Sequence, residues 1–379
     1  MKRTYKYFLL LIAVFMTSAT IMLAQENDLQ QLGFENPIVT KGGKSSIVSH
    51  AESAVIIPGE THDALWVHPE LMTIPGDPVI IEMRARTTDR RGGDRHRAWH
   101  YFQTKDYFNT LQPIDQPTDS IWERKDLSLD DLALSETSVE MPSQLGHTWG
   151  SAFVYLNPKT ILQAFTTSDG SRNSVQSLIA EYKNGNLVPK HISNSFTINT
   201  GRGLYEPHIA SYKNNYYMTA RAEDGKGYIM KSEDMGRTWS KPKPWSWENG
   251  DTIPMNQTMT KLLSHSDGLT LVYTRIRKDN DNVFRNRAPL HIADVDHKTL
   301  SLKRSTERII VPNRSEKESG LPVGNFWVWP INQKESYVIV AEWPRDGRQE
   351  NGDIWLVKIH WRHSNQKMTP NGREKVTLK

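Results

Sequence analysis

The sequence predicts an all-β chain folded as a β-propeller, and three observations predict it. Stretches with helical periodicity are scarce, short β-branched and aromatic runs alternate with turns rich in Gly, Asn, Asp and Pro, and one kind of hairpin recurs along the chain. The 379 residues are 37% hydrophobic and 24% charged, a composition that supplies a core and argues against a disordered or multi-spanning chain.

In chain order the first element is Met1–Gln25, in which Lys2, Arg3 and Lys6 precede the apolar run Phe8–Leu23 and the small residue Ala24. This is the pattern of a cleavable secretory signal. Residues 26–379 are therefore expected as one catalytic propeller domain, periplasmic or secreted, with no stable membrane insertion. Without the signal, 44 basic residues face 43 acidic ones, so no basic excess calls for nucleic acid. The absence of cysteine excludes disulfides, thiolate nucleophiles and Cys-ligated metals. The spacing of the histidines indicates no metal cage, although structural calcium held by loop carbonyls would leave no such trace.

Five hairpin modules follow. Val67–Thr73 turns at Pro75-Gly-Asp into Val79–Arg86, His147–Tyr155 turns at Asn157-Pro-Lys into Thr160–Thr166, and Tyr205–Tyr212 turns at Lys213-Asn-Asn into Tyr216–Arg221. Asn256–Ser264 then turns at Ser266-Asp-Gly into Leu269–Arg277, and Asn325–Ile331 turns at Asn332-Gln-Lys into Ser336–Trp343. Such repetition means propeller blades. The expected number is six or seven, because the terminal segments Ser53–Pro58 and Lys375–Leu378 could share a further blade. The acidic stretch Gln116–Pro142 reads as an outer strand plus a loop insertion.

After the third hairpin, Ser232-Glu-Asp234-Met-Gly236-Arg-Thr238-Trp239 fits the Asp-box pattern Ser-x-Asp-x-Gly-x-Thr-Trp, a β-turn whose Ser and Asp bond local backbone while the Trp packs between sheets. Thr104–Leu111 is a degraded copy. Its role is structural.

In a propeller the inner strand begins, and its antiparallel partner ends, at the face that carries the site. That rule brings His68 with Arg84 or Arg86, His147 with Trp149, Tyr205 with Glu206, His208 and Arg221, Asn256 or Gln257 with Arg275 or Arg277, and Asn325 with Glu342 to one mouth. It also places His265 at a hairpin tip on the far side, away from any catalytic role.

These hairpins and the Asp box resemble the sialidase (BNR-repeat) superfamily, whose members pair an inner-strand Glu with an Arg about sixteen residues later and add further arginines for a substrate carboxylate. Tyr205 to Arg221 is a step of sixteen, and Arg277, Arg285 or Arg287 offers a further clamp. The late inner strand reads Gly324-Asn-Phe-Trp-Val-Trp329, without the nucleophilic tyrosine of that superfamily, so release of sialic acid is not expected. The Tyr–Arg step is similar to that of propeller ulvan lyases and related rhamnosyl-glucuronate-active enzymes, in which an upstream histidine assists; His147 matches it, with His208 and His68 as further matches.

The resemblance implies β-elimination on an acidic polysaccharide or oligosaccharide. Arg221 would hold the uronate carboxylate, Tyr205 would transfer a proton at C5 or O4 with its pKa lowered by Arg221, and His147 would be its partner, with no cofactor required. His68, Trp149, His208, Asn256, Arg277, Arg287 and Glu342 would contact substrate. A hydrolase using Glu206 and Glu342, or a non-catalytic carbohydrate-binding propeller, remains as an alternative.

Overall fold

Each recurring hairpin extends into a sheet because its strands alternate side chains that face neighbouring sheets on both sides. The computed structural model describes residues 33–59, 64–89, 96–115, 153–183, 186–314, 320–344 and 352–376. The proposed signal, Gln116–Pro142, His147 and Trp149 lie outside the described residues.

Two strands, β1 (Ile38–Lys41) and β2 (Val48–Ile57), precede the first blade, which comprises β3 (Ala64–Ile74), β4 (Ile80–Asp89), β5 (His96–Thr104) and β6 (Gln112–Ile114). Blade 2 holds β7 (Phe153–Asn157), β8 (Thr160–Ser168), β9 (Asn173–Lys183) and β10 (Asn186–Ile192); blade 3 holds β11 (Tyr205–Tyr212), β12 (Asn215–Arg221), β13 (Gly227–Ser232) and β14 (Lys243–Pro244). Blade 4 holds β15 (Lys261–His265), β16 (Gly268–Tyr273), β17 (Leu290–Asp296), β18 (Ser301–Leu302) and β19 (Arg308–Val311), and blade 5 holds β20 (Val323–Pro330), β21 (Glu335–Glu342) and β22 (Ile354–Trp361). The strands β2 and β1 complete blade 5, in the order β1-β2-β22-β21-β20.

The described residues thus form a five-bladed propeller, which corrects the expected six or seven blades. Ser53–Ile57 belongs to β2 and pairs with β22, so the N-terminal strand closes an existing blade instead of opening another. Among the described residues, four apolar clusters bridge neighbouring sheets. Ile81 and Met83 of blade 1 meet Tyr337 and Ile339 of blade 5, for example, and Tyr217 and Ile229 of blade 3 meet Leu271 and Tyr273 of blade 4.

Two turns of shared design tie strands to neighbouring blades. Ser232 Oγ donates to Asp234 Oδ1 at 2.8 Å, Asp234 accepts from the Thr238 amide at 2.9 Å, and Trp239 Nε1 donates to Ser177 Oγ of blade 2 at 2.8 Å. Gly236, at φ 81, lies against Leu162 with no room for a Cβ. Thr104, Asp106 and Thr110 repeat the bonding, with the buried Phe108 at φ 69 in the glycine's place.

The inner strands β3, β11 and β20 share one irregularity near their starts. Val67 opposes Arg86 and Glu70 opposes Arg84; Tyr205 opposes Arg221 and His208 opposes Thr219; Val323 opposes Glu342 and Phe326 opposes Val340. Two residues therefore face one across each ladder, a β-bulge that re-aims the side chains around it. Pro69 and Pro207 sit in these bulges, where a missing N–H costs no ladder bond.

Candidate functional site

At the start of β11 the Tyr205 ring lies between two guanidinium groups, with Arg202 Cζ 4.3 Å and Arg221 Cζ 4.8 Å from its centroid. Arg202 Nη2 donates to the Tyr205 hydroxyl at 2.7 Å, and the hydroxyl donates to Glu223 Oε1 at 3.2 Å. Arg202 Nε closes the triangle on Glu223 at 2.6 Å. Arg221 Nη1 holds Glu206 at 2.6 Å, and Glu206 occupies the left-handed region at φ 49. Strain of this kind in a residue with a Cβ is held only where the surroundings over-determine it, and it clusters at functional sites.

Burial pushes the Tyr205 pKa up to about 12 against the opposing charges of Arg221 and Arg202. The expected lowering by Arg221 is therefore corrected: removal from water outweighs the neighbouring cations, and the phenol is a proton donor at neutral pH. Burial would raise the Glu223 carboxyl, but the Arg202 hydrogen bonds outweigh it and hold the carboxyl below its usual range. Arg202 and Glu223 carry no motif and were not among the sequence candidates; their positions, three residues before Tyr205 and two after Arg221, are the one signal that could have found them.

Arg287 joins this cluster. Burial brings its pKa down to about 9, with the Arg221 charge adding to the effect and Glu206 opposing it. Its Nη2 donates to the Gln257 carbonyl at 2.9 Å. Among the described residues, Nε of Arg287 and Nε of Arg221 are buried without a hydrogen-bond partner.

Lys261, at the start of β15, is a further group that sequence patterns did not reveal. It is fully buried, its amine stands 4.2 Å over the Trp327 ring, and burial lowers its pKa to about 7 against the pull of Glu70 and Glu206. Glu70 is itself held by Arg84 at 2.8 and 3.0 Å, and Arg84 and Arg86 both stack on Trp99.

Other candidates fall elsewhere. His208 is buried beyond the bulge; its Nδ1 accepts from the Leu262 amide at 3.2 Å, and burial drives its pKa well down. It borders a cavity of about 430 Å³ at the opposite end of the axis, where the C-terminal Lys367 bonds Ser211 and Ser264. His208 is thus a neutral packing residue and not a neighbour of the Tyr205 hydroxyl. Glu342 is buried and bonded by Arg314 and by Trp355 Nε1 at 3.1 Å, so it is no free partner for Glu206. Arg277 is paired with Asp279 at 2.6 and 2.5 Å and belongs to the blade 4 rim. Asn256 precedes β15 and bonds Asn286 at 2.8 Å, which fastens the loop that carries the Gln257 carbonyl. His68 takes the bulge position that Glu206 holds in β11, at the same φ of 49. His265 is buried at its hairpin end, its Nδ1 accepting from the Asp267 amide at 2.9 Å.

No protein-family model and no curated protein matches the sequence. Among solved structures, a protein of unknown function from Dyadobacter fermentans is similar over 82% of this chain and 99% of its own, with 12% identity and a TM-score of 0.52. A GH43_1 enzyme from Xanthomonas citri aligns over 86% and 96% of the two chains at 10% identity and a TM-score of 0.43. The Trypanosoma rangeli sialidase aligns over 85% of this chain at 12% identity and a TM-score of 0.42, and the match spans about half of the sialidase, 53%. The likeness to the Dyadobacter protein concerns the fold alone.

Proposed function

We propose that the chain is an exported glycan-active enzyme whose substrate carries a carboxylate, and that it cleaves by β-elimination at a uronic acid. The observation that carries this reading is the pair of buried, unpartnered guanidinium Nε–H groups of Arg221 and Arg287 beside the Tyr205 phenol. Buried donors without partners are costly, and a bound carboxylate would satisfy both. The same donors would stabilise the negative charge that builds on the carboxylate as the C5–H bond breaks. The C5 electrons form the C4–C5 double bond, the C4–O bond breaks, and the departing oxygen takes the Tyr205 proton. We assign the C5 proton to His147, which the sequence places ahead of β7, and its imidazole then returns a proton to the tyrosine. Arg202, 55% exposed, is the group a substrate would displace from above the phenol. With a sugar on O4 the reaction is that of a lyase; with a free hydroxyl it is that of a dehydratase at a non-reducing end.

One observation favours a hydrolase instead. The Tyr205–Glu223 hydrogen bond is what a phenol nucleophile with its base would present: the phenol would attack the anomeric carbon as the glycosidic C–O bond broke, Glu223 taking the phenol proton and water protonating the departing oxygen, and a second water would then release the sugar from the tyrosine. Incubation with uronate-containing oligosaccharides, read for ultraviolet absorbance and for reducing ends, separates the two. An absorbing unsaturated product that disappears in Tyr205→Phe supports elimination. Reducing ends without absorbance transfer the site to hydrolysis, and binding with neither product leaves a carbohydrate-binding propeller.

A further inference from the structure

We propose that the outer face of blade 5 holds a zinc-type divalent transition-metal ion on His50, Glu52 and His360, stapling the N-terminal strand β2 to the C-terminal strand β22. His50 opposes His360 directly across the β2–β22 ladder, and Glu335 of β21 opposes His360 on its other side. Glu52 follows His50 by two residues, so the strand puts both on one face. The two imidazole rings stack with centroids 4.2 Å apart and planes 6° from parallel. Glu52 spans them, with Oε1 3.7 Å from His50 Nε2 and Oε2 3.4 Å from His360 Nε2. One ligand atom from each of the three residues lies within 4.8 Å of the others.

The hydrogen bonding around His360 leaves it with an unmet need. Glu335 Oε1 lies 3.3 Å from Nδ1, and the Tyr337 hydroxyl, at 2.9 Å, fixes the other Glu335 oxygen. A carboxylate in that place favours the Nδ1–H tautomer, the arrangement that orients metal-binding imidazoles. In that tautomer Nε2 turns a lone pair toward the Glu52 carboxylate, acceptor against acceptor, and it is buried with no hydrogen-bond partner among the described residues. Lys358, the cation opposite Glu52 in register, stands over the Phe34 ring at 4.0 Å and does not fill the gap. A single divalent ion between Nε2, Nε2 and the carboxylate gives all three groups a partner. Two imidazoles and one carboxylate suit zinc, nickel or copper, whereas calcium and magnesium require oxygen sets. The rings converge on an ion by turning about χ2, a soft torsion. His50, Glu52 and His360 are each partly exposed, so water reaches the open side of the ion and completes the coordination. Its place is the seam where the two ends of the chain close the ring, so an ion there acts on stability and not on the chemistry at Tyr205.

The test uses the untagged full chain, stripped with a chelator and titrated with zinc chloride by calorimetry, with thermal melting alongside. The expected result is one ion per chain at micromolar or lower concentration and a rise in melting temperature of a few degrees, which the same concentrations of calcium or magnesium do not give. His50→Ala and His360→Ala remove both effects, Glu52→Gln weakens them while keeping the side-chain volume, and Glu335→Gln lowers affinity about 10–100-fold by releasing the ring. Absence of saturable zinc binding to the parent overturns the proposal, as does binding that Glu52→Gln and His360→Ala leave unchanged.

Discussion

The hairpins β3–β4 and β11–β12 are built on one plan. Each interrupts its inner strand with a two-against-one bulge, each sets a residue at φ 49 before a proline, and in each an arginine of the second strand reaches a carboxylate of the first. They differ in what the arginine is left to do. In β3–β4, Arg84 places Nε and Nη2 on one Glu70 oxygen, and Val67 takes the position opposite Arg86. In β11–β12, Arg221 holds Glu206 through Nη1, its Nε stays unpartnered, and Tyr205 takes the position opposite it. Arg84 closes an ion pair within the fold, whereas Arg221 has an Nε–H that its carboxylate does not take. By register the counterpart of Arg221 is Arg86, and on the function proposed above the residue opposite that arginine, Tyr205 in one hairpin and Val67 in the other, is what separates the two.

The largest expected contrast is in turnover. Tyr205→Phe keeps the ring between Arg202 and Arg221 and removes only the donated proton, so kcat should fall about 10²–10⁴-fold with an unchanged melting temperature. Val67→Leu, at the matching position of β3, should leave kcat close to the parent. A Tyr205→Phe variant retaining more than about a third of parent activity would end the distinction.

Next in size is a stability effect that runs the other way. Arg84→Met strands the Glu70 carboxylate in a mostly buried place and should cost about 3–5 kcal/mol in urea unfolding. Arg221→Lys keeps the charge against Glu206 and should cost less stability, but it loses the fork, so KM should rise and kcat fall together. Equal stability losses from the two changes would show that the hairpins do the same work.

Lys261, which feels Glu70 of one hairpin and Glu206 of the other, links them through pH. Its folded pKa of about 7 lies below the ordinary lysine value of 10.5, so between these the unfolded chain binds the extra proton. Stability should accordingly rise with pH across that interval, by an amount on the order of a few kcal/mol, and the penalty should be constant below it. Lys261→Met should flatten the profile in paired unfolding measurements at pH 7 and above. A parent profile that is already flat would mean the amine keeps its proton on Trp327. The smallest effect is expected at the two turns outside the hairpins. Asp106→Ala and Asp234→Ala should each lower stability by about 1–2 kcal/mol and leave kcat alone.

The sequence by itself determined the sheet class, the hairpins and their turns, because strand alternation and turn chemistry are local. It also brought Tyr205 and Arg221 together, since antiparallel pairing converts a fixed step into contact. Tertiary structure decided the rest. The blade count depended on β2 crossing to β22, a pairing between the two ends of the chain that no local pattern records. The bulge at Glu206 and Pro207 put His208 against Leu262 and away from the hydroxyl of Tyr205, and Arg314 claimed Glu342 from outside its hairpin. Arg202, Glu223, Lys261 and the facing pair His50 and His360 bear no mark in the sequence. What makes each of them matter is which charge, ring or lone pair stands opposite and how little water reaches it. Those quantities exist only once distant segments are packed together.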